Sequence, residues 1–137
     1  MSMSHEEIDA FLAEPRLCHF ATIDANGLPR VRPLWYMWRD GVFWLTTRTQ
    51  TRFTGRDLAS NPGVAISIAS EQRPYRAVVA HGNPEVAPKD RDMLLALSTR
   101  YGDEQGRRWT EEAMEQSDRV LLKLAPEKLF SWDYGQD

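Results

Sequence analysis

Residues 21–68 read ATIDANGLPRVRPLWYMWRDGVFWLTTRTQTRFTGRDLASNPGVAISI, and this stretch decides the fold. Its apolar runs are separated by Asp24-Ala25-Asn26-Gly27 and by Arg39-Asp40-Gly41, residues that supply positive φ at little cost. Leu17 to Ile23, Leu28 to Trp38 and Val42 to Thr47 are therefore expected to form an antiparallel three-strand meander. Pro29 and Pro33 put an edge or a bulge in the second strand. Thr49 to Asn61 reads as a polar loop and short helix, ended by Asn61-Pro62-Gly63. Val64, Ile66 and Ile68 then alternate with small residues up to Ala69, the pattern of a half-buried strand.

The flanks extend the same plan. Ser4-His5-Glu6-Glu7 fits a capping box, opening a helix to Ala13 with Ile8, Phe11 and Leu12 on one face until Pro15 stops it. Tyr75 to Val86 reads as a strand bent at Gly82 and Pro84. Pro88 suits the first turn of a helix that lines up Leu94, Leu97 and Tyr101 and ends at Gly102. A second helical piece is expected from about Arg108 to Gln116. Arg119 to Tyr134 gives a final strand pair, or one long strand bent through Pro126. With no internal repeat or linker, the expectation is one domain over residues 1–137. It is mainly β with peripheral helices, a six-stranded antiparallel barrel with helices packed outside.

The chain has 137 residues, 42% hydrophobic and 27% charged, enough for a full core and too apolar for disorder. No apolar run approaches the roughly 18 residues of a membrane span. Glu6, Glu7 and Asp9 stand where a secretory signal needs basic residues, and Cys18 is the single cysteine. A reduced, cytoplasmic protein without disulfides or a Cys-rich zinc site is expected. The net charge of −3 conceals an uneven distribution. Residues 25–80 carry eight basic groups, all arginine, against three acidic ones, while both flanks are acidic. That arginine-only centre points to a local anion site, or to arginines that coat barrel strands and pair with acidic neighbours.

Several chemistries are absent. There is no Gly-rich phosphate loop, no nucleophile elbow, and no second histidine to complete a metalloprotease signature after His5-Glu6. Three scattered histidines, 5, 19 and 81, do not make a metal centre. His19 is expected as a packed strand residue and Cys18 as buried filler. What remains is a cluster of arginines, hydroxyls and aromatics. Alternation puts Arg30, Arg32, Leu34, Tyr36 and Trp38 on one face of the second strand and Val31, Pro33, Trp35 and Met37 on the other. Arg52 and Arg56 lie one helical turn apart. Amides at that helix start, nearby threonine hydroxyls and Arg52 can hold a phosphate, with a flat ring against the aromatic strand. Alternatively the aromatics form core or a dimer interface.

Ordered motifs link these pieces: Ala21-Thr22, Gly27 and Pro29, Pro33-Leu34-Trp35-Tyr36, Thr46-Thr47, and Asn61-Pro62-Gly63-Val64-Ala65. Later come Pro74-Tyr75-Arg76, His81-Gly82, Arg100-Tyr101, Pro126-Glu127-Lys128 and Ser131-Trp132-Asp133-Tyr134. In order and spacing the chain resembles the pyridoxamine 5′-phosphate oxidase-like split-barrel superfamily. It is most similar there to the flavin and deazaflavin oxidoreductases.

The resemblance implies a split barrel of the FMN-binding type, working as a homodimer that holds FMN or coenzyme F-420 between subunits. The activity it implies is an oxidoreductase passing a hydride to a small conjugated substrate. By this resemblance Arg48, Thr51, Arg52 and Arg56 bind the phosphate, while Arg30, Arg32, Pro33, Leu34 and Trp35 flank the ring. Thr46 and Thr47 contact the ring or ribityl chain, and Trp132 and Tyr134 close the site from the partner subunit. No catalytic acid is assigned. Where the family carries Ser/Thr-Arg-Lys, this chain has Thr51-Arg52-Phe53 in a loop one residue longer. Either Arg48, Arg52 and Arg56 take the lysine's place, or cofactor affinity is weak or changed. Pyridoxamine phosphate oxidation itself is not expected, because the longer C-terminal elaboration implied for that activity is missing. A non-catalytic flavin or haem binding or storage module is the alternative. A single-stranded nucleic-acid binder is a third, opposed by the acidic flanks. The substrate stays open, and no nucleic-acid or membrane partner is expected.

Overall fold

A computed structural model describes residues 1–136. It runs α1 (His5–Ala13), β1 (Cys18–Ile23), β2 (Pro29–Leu34), β3 (Met37–Arg39), β4 (Val42–Arg48), α2 (Phe53–Ser60) and β5 (Val64–Ala69). There follow β6 (Arg76–Gly82), β7 (Glu85–Pro88), α3 (Arg91–Thr99), α4 (Asp103–Glu115), β8 (Arg119–Leu124) and β9 (Lys128–Asp133). The mainly-β expectation holds, but the count of six strands is corrected to nine among the described residues. The reason is physical. Each of the three longest predicted strands breaks once and passes from one sheet to the other. One sheet has the order β2-β1-β5-β6-β9 and the other β3-β4-β8-β7, so β2/β3, β6/β7 and β8/β9 are the crossing pairs. The predicted meander is thereby split: β2 pairs with β1, whereas β3 pairs with β4.

Pro84 and Pro126, which cannot donate to a ladder, mark two of the breaks. At the third, Trp35-Tyr36, the bend is held from outside. The Tyr101 hydroxyl accepts the Tyr36 amide at 3.0 Å and donates to the Arg16 carbonyl at 2.8 Å. The Arg100 guanidinium donates to the Tyr36 carbonyl and to the carbonyls of Leu12, Ala13 and Glu14 that end α1. Residues at the end of α3 thus fix where Trp35 sits, and strict alternation along Leu28 to Trp38 stops at that point.

The core lies between the sheets. Phe20, Ile66, Ile68, Val78, Phe43, Leu45, Leu122 and Leu124 meet there, with Ile8, Phe11 and Leu12 of α1. Fully burying one such side chain stabilises by about 1.5–3 kcal/mol, so this cluster outweighs any surface ion pair. The capping box on α1 is formed: Ser4 Oγ accepts the Glu7 amide and Glu7 Oε1 accepts the Ser4 amide. A second cluster packs α3 and α4 on the outside of β4 and β8, through Leu94, Ala113 and Leu121 with Trp44 and Trp109. Gly106 permits this close crossing; a Cβ there would stand 2.7 Å from the Ser98 backbone.

Three local expectations are corrected. Pro88 closes β7 opposite Val120 instead of starting a helix. The next helix begins after Asp90, whose side chain caps the Met93 amide, a stronger start signal than proline alone. The following helix starts at Asp103, earlier than Arg108. His19 is exposed on the outer sheet face, because its neighbours Cys18 and Phe20 take the inner one. Cys18 is fully buried, and burial pushes its thiol up to about 12, so it stays protonated and unreactive at neutral pH.

Candidate functional site

A cleft opens where the bend at Trp35, the outer face of β4 and β8, the start of α2 and the flank of α4 converge. Its wider lobe, about 420 Å³, lies between Leu17, Pro33, Trp35 and Trp109. A narrower lobe, about 260 Å³, lies between Arg32, Thr47, Phe53 and Thr54. Leu34, Thr46, Arg52 and Arg119 line both lobes and form the junction. Two grooves of similar volume lie elsewhere, lined by His19 and Glu71 or by His81 and Glu127, but neither brings two arginines together.

The aromatic lobe is rigid. Trp35 stacks on Tyr101 with ring centroids 5.0 Å apart and planes at 6°, and meets Trp109 edge-on at 5.5 Å. Because Tyr101 is hydrogen-bonded into the bend, Trp35 is held on two sides.

The arginines fall into two groups. Arg30 and Arg32 reach down from β2 to Asp57, which α2 buries almost completely. Arg30 donates to Asp57 through two nitrogens, and the Thr22 hydroxyl donates to Asp57 Oδ2 at 2.7 Å. Burial alone would raise the Asp57 carboxyl, but the Arg30 and Thr22 hydrogen bonds and both arginine charges hold it below the ordinary range. Phe53 covers both guanidiniums, 4.5 Å from Arg30 and 4.2 Å from Arg32. Phe53 stands where the resemblance places a lysine. One carboxylate already faces two guanidiniums here, and a third cation would have no partner, whereas an aromatic face attracts both. The Arg32 Nε is buried without an acceptor among the described residues.

Arg52 and Arg119 are different. Arg52 is exposed at the N-cap of α2, which has no side-chain cap, and it has no carboxylate partner among the described residues. Arg119 is half-buried on β8, lies 5.2 Å over the Trp109 ring, and donates from Nε and Nη2 to Gln116 Oε1. Burial, then repulsion from Arg48 and Arg52, pulls its pKa down, with Asp118 opposing. The hydrogen bonds of Asp118 go elsewhere. Arg48 Nε donates to it at 2.9 Å, and the Gln50 and Thr51 amides at 3.1 and 3.2 Å. Burial would raise the Asp118 carboxyl, but these contacts outweigh it and set the pKa at about 2. Asp118 therefore fixes the loop that delivers Arg52 and takes up the charge of Arg48, the cross-strand neighbour of Arg119.

Of the residues expected at the site, the structure brings Arg32, Pro33, Leu34, Trp35, Thr46, Thr47 and Arg52 to the cleft. Arg30 is engaged by Asp57, and Arg48 and Thr51 by Asp118. Arg56 is exposed on α2 and lines neither lobe. Trp132 and Tyr134 sit on or just beyond β9, at the opposite edge of the five-stranded sheet from β2. Sequence reasoning missed Leu17, Phe53, Thr54, Trp109 and Arg119 as lining residues. The available signal was the Gln116/Arg119 spacing at the start of β8, but only the β4–β8 pairing brings it beside Thr46. Among the described residues no cluster of three His, Cys, Asp or Glu could hold a metal ion. No helix among them is long and apolar enough to cross a membrane.

A family profile described as pyridoxamine 5′-phosphate oxidase matches residues 4–133. No curated protein matches the chain. Among solved structures, a conserved hypothetical protein from Mycobacterium tuberculosis is similar at 23% identity and TM-score 0.80, over 96% of this chain and 86% of that one. An F-420 reductase is similar at 27% identity and TM-score 0.71, over 88% of this chain and 94% of that one. The haem storage protein of Vibrio cholerae is similar at 21% identity and TM-score 0.71, over 92% of each chain.

Proposed function

This chain belongs to the pyridoxamine 5′-phosphate oxidase family, and from that membership we propose that its cleft holds a phosphorylated flavin or deazaflavin, FMN or coenzyme F-420, for an oxidoreductase reaction. The observation that carries the reading is the junction of the two lobes. Arg52 and Arg119 face it without a carboxylate partner among the described residues, beside a fixed aromatic wall. Two guanidiniums with no ion-pair partner in a shared cleft repel each other, and an anion between them removes that cost. The residues present therefore fit a phosphate joined to a flat ring. Arg52, Arg119 and the uncapped amides at the start of α2 hold the phosphate. Pro33, Leu34 and Trp35 flank the ring, and Thr46 and Thr47 lie along the linker between ring and phosphate. When bound, such a cofactor supplies hydride transfer to a small conjugated acceptor; the chain supplies binding, orientation and exclusion of water.

The protein acts as a homodimer in this reading. Ile23, Val31 and Phe130 point outward from the five-stranded sheet and are 39%, 64% and 48% exposed, an apolar face of the kind a second copy covers. Trp132 and Tyr134 are assigned to the cleft of that second copy. A second reading, non-catalytic binding or storage of a flat anion, is favoured by one feature of the lining. No histidine, carboxylate, cysteine or lysine lines either lobe, so no side chain there suits proton transfer.

Spectral titration of the purified protein with FMN and with F-420, followed by chemical reduction of the bound cofactor and addition of electron acceptors, separates these. Micromolar binding with acceptor reduction supports the oxidoreductase, binding without turnover supports storage, and binding of neither cofactor rejects the oxidoreductase and, if haem is not bound either, storage as well.

A further inference from the structure

We propose that Arg119, oriented by Gln116 and Trp109, is the residue by which the cleft distinguishes phosphorylated from unphosphorylated ligands. The assignment deepens the proposed function and rests on it.

The Arg119 side chain is held from one side. Gln116 Oε1 takes two of its donors, from Nε at 2.9 Å and Nη2 at 2.7 Å, and the Trp109 ring lies against the guanidinium. The remaining nitrogen, Nη1, has only a long contact of 3.5 Å to Thr46 Oγ1, and that hydroxyl is itself committed as a donor to the Val120 carbonyl. One end of the guanidinium is therefore fixed and the other is free at the junction of the lobes. Gln116 is neutral, so this fixing does not cancel the charge, as an aspartate or glutamate would. Asp118, the residue before Arg119, makes no hydrogen bond to it and is occupied by Arg48 and two amides. Arg52 contributes charge from an exposed side chain. Arg119 contributes charge that is half-desolvated and already oriented, the condition under which a charge-assisted hydrogen bond is strongest and costs least ordering. Gln116 is in these terms a positioning residue.

The test compares FMN with riboflavin, which share the ring and differ in the phosphate, on wild type and variants by flavin fluorescence titration. Arg119→Gln is expected to weaken FMN binding by about 100-fold and riboflavin binding by less than about threefold. Arg119→Lys keeps charge without the fork and is expected to recover part of the loss. Gln116→Glu keeps Arg119 but neutralises it, and should lower FMN affinity by about tenfold while riboflavin binding stays as in wild type. Retained riboflavin binding is the control for folding, and Gln116→Glu tests the idea if Arg119→Gln does not fold. If wild type prefers FMN and the preference survives both Arg119→Gln and Gln116→Glu, the assignment is overturned while the function stands. If wild type binds phosphate-bearing and phosphate-free flavins and deazaflavins equally, or none of them, function and assignment fall together.

Discussion

Two arginine pairs lie within one cleft region and do opposite work. Arg30 and Arg32 are pinned beneath Phe53 to a buried carboxylate, Asp57, and tie β2 to α2. Arg52 and Arg119 have no carboxylate partner among the described residues and face open space bounded by Trp35 and Trp109. The residue type is the same in both pairs; the difference is whether a buried acid answers the charge. The first pair belongs to the stability of the fold, and the second is available to a ligand.

The two pairs differ most at Asp57. Asp57→Ala leaves two partly buried guanidiniums unanswered and should cost about 3–5 kcal/mol, read as a lower urea midpoint. A loss below about 1 kcal/mol would show that Arg30 and Arg32 are not held as described. Next in size is Phe53→Lys, which restores the family's residue. Placed against two guanidiniums, the third cation is expected to destabilise by about 1–2 kcal/mol and not to improve FMN affinity. A variant that is both stable and tighter-binding would mean that the lysine's role was lost here, not replaced.

The pH dependence sharpens the contrast further. Asp118 has its folded pKa depressed to about 2 from an unfolded value near 4. Its contribution to stability is therefore complete above about pH 4 and is lost as pH falls toward 2. Urea midpoints between pH 5 and 2 should fall less steeply in Asp118→Asn than in wild type; equal slopes would contradict the assigned hydrogen bonds. The smallest effect is expected at Arg52. Arg52→Gln relieves repulsion with Arg119, so stability should stay level or rise by up to about 0.5 kcal/mol, while FMN affinity falls by about five- to tenfold. Arg30→Gln should do the reverse, losing stability with little direct loss of affinity.

Much of this was legible in the residues. The capping box at Ser4, the alternation of Val64, Ile66 and Ile68, and the turns at Asn26-Gly27 and Asp40-Gly41 are local signals, and local structure follows them. Alternation also placed Arg30 and Arg32 together on one face. What it did not contain was the acid that faces them, because Asp57 comes from a helix far along the chain. The break at Trp35-Tyr36 was hidden for a similar reason: it is imposed by Arg100 and Tyr101, with no glycine or proline at the bend itself. Arg119 was invisible as a site residue because its neighbour Thr46 lies across a strand pairing of distant segments. Charge counting found the arginine-rich centre but could not sort its members by partner.

In the function proposed above, unanswered arginines in the cleft bind the phosphate of a flavin-type cofactor. The most direct test is titration of wild-type protein with FMN against riboflavin, and with F-420 against its phosphate-free deazaflavin alcohol, at low and high salt. At least one phosphorylated form should bind more tightly than its partner by tenfold or more, on the order expected for charge-assisted contacts, with the gap narrowing as salt rises. Equal affinity within each pair, or a gap indifferent to salt, would contradict the account.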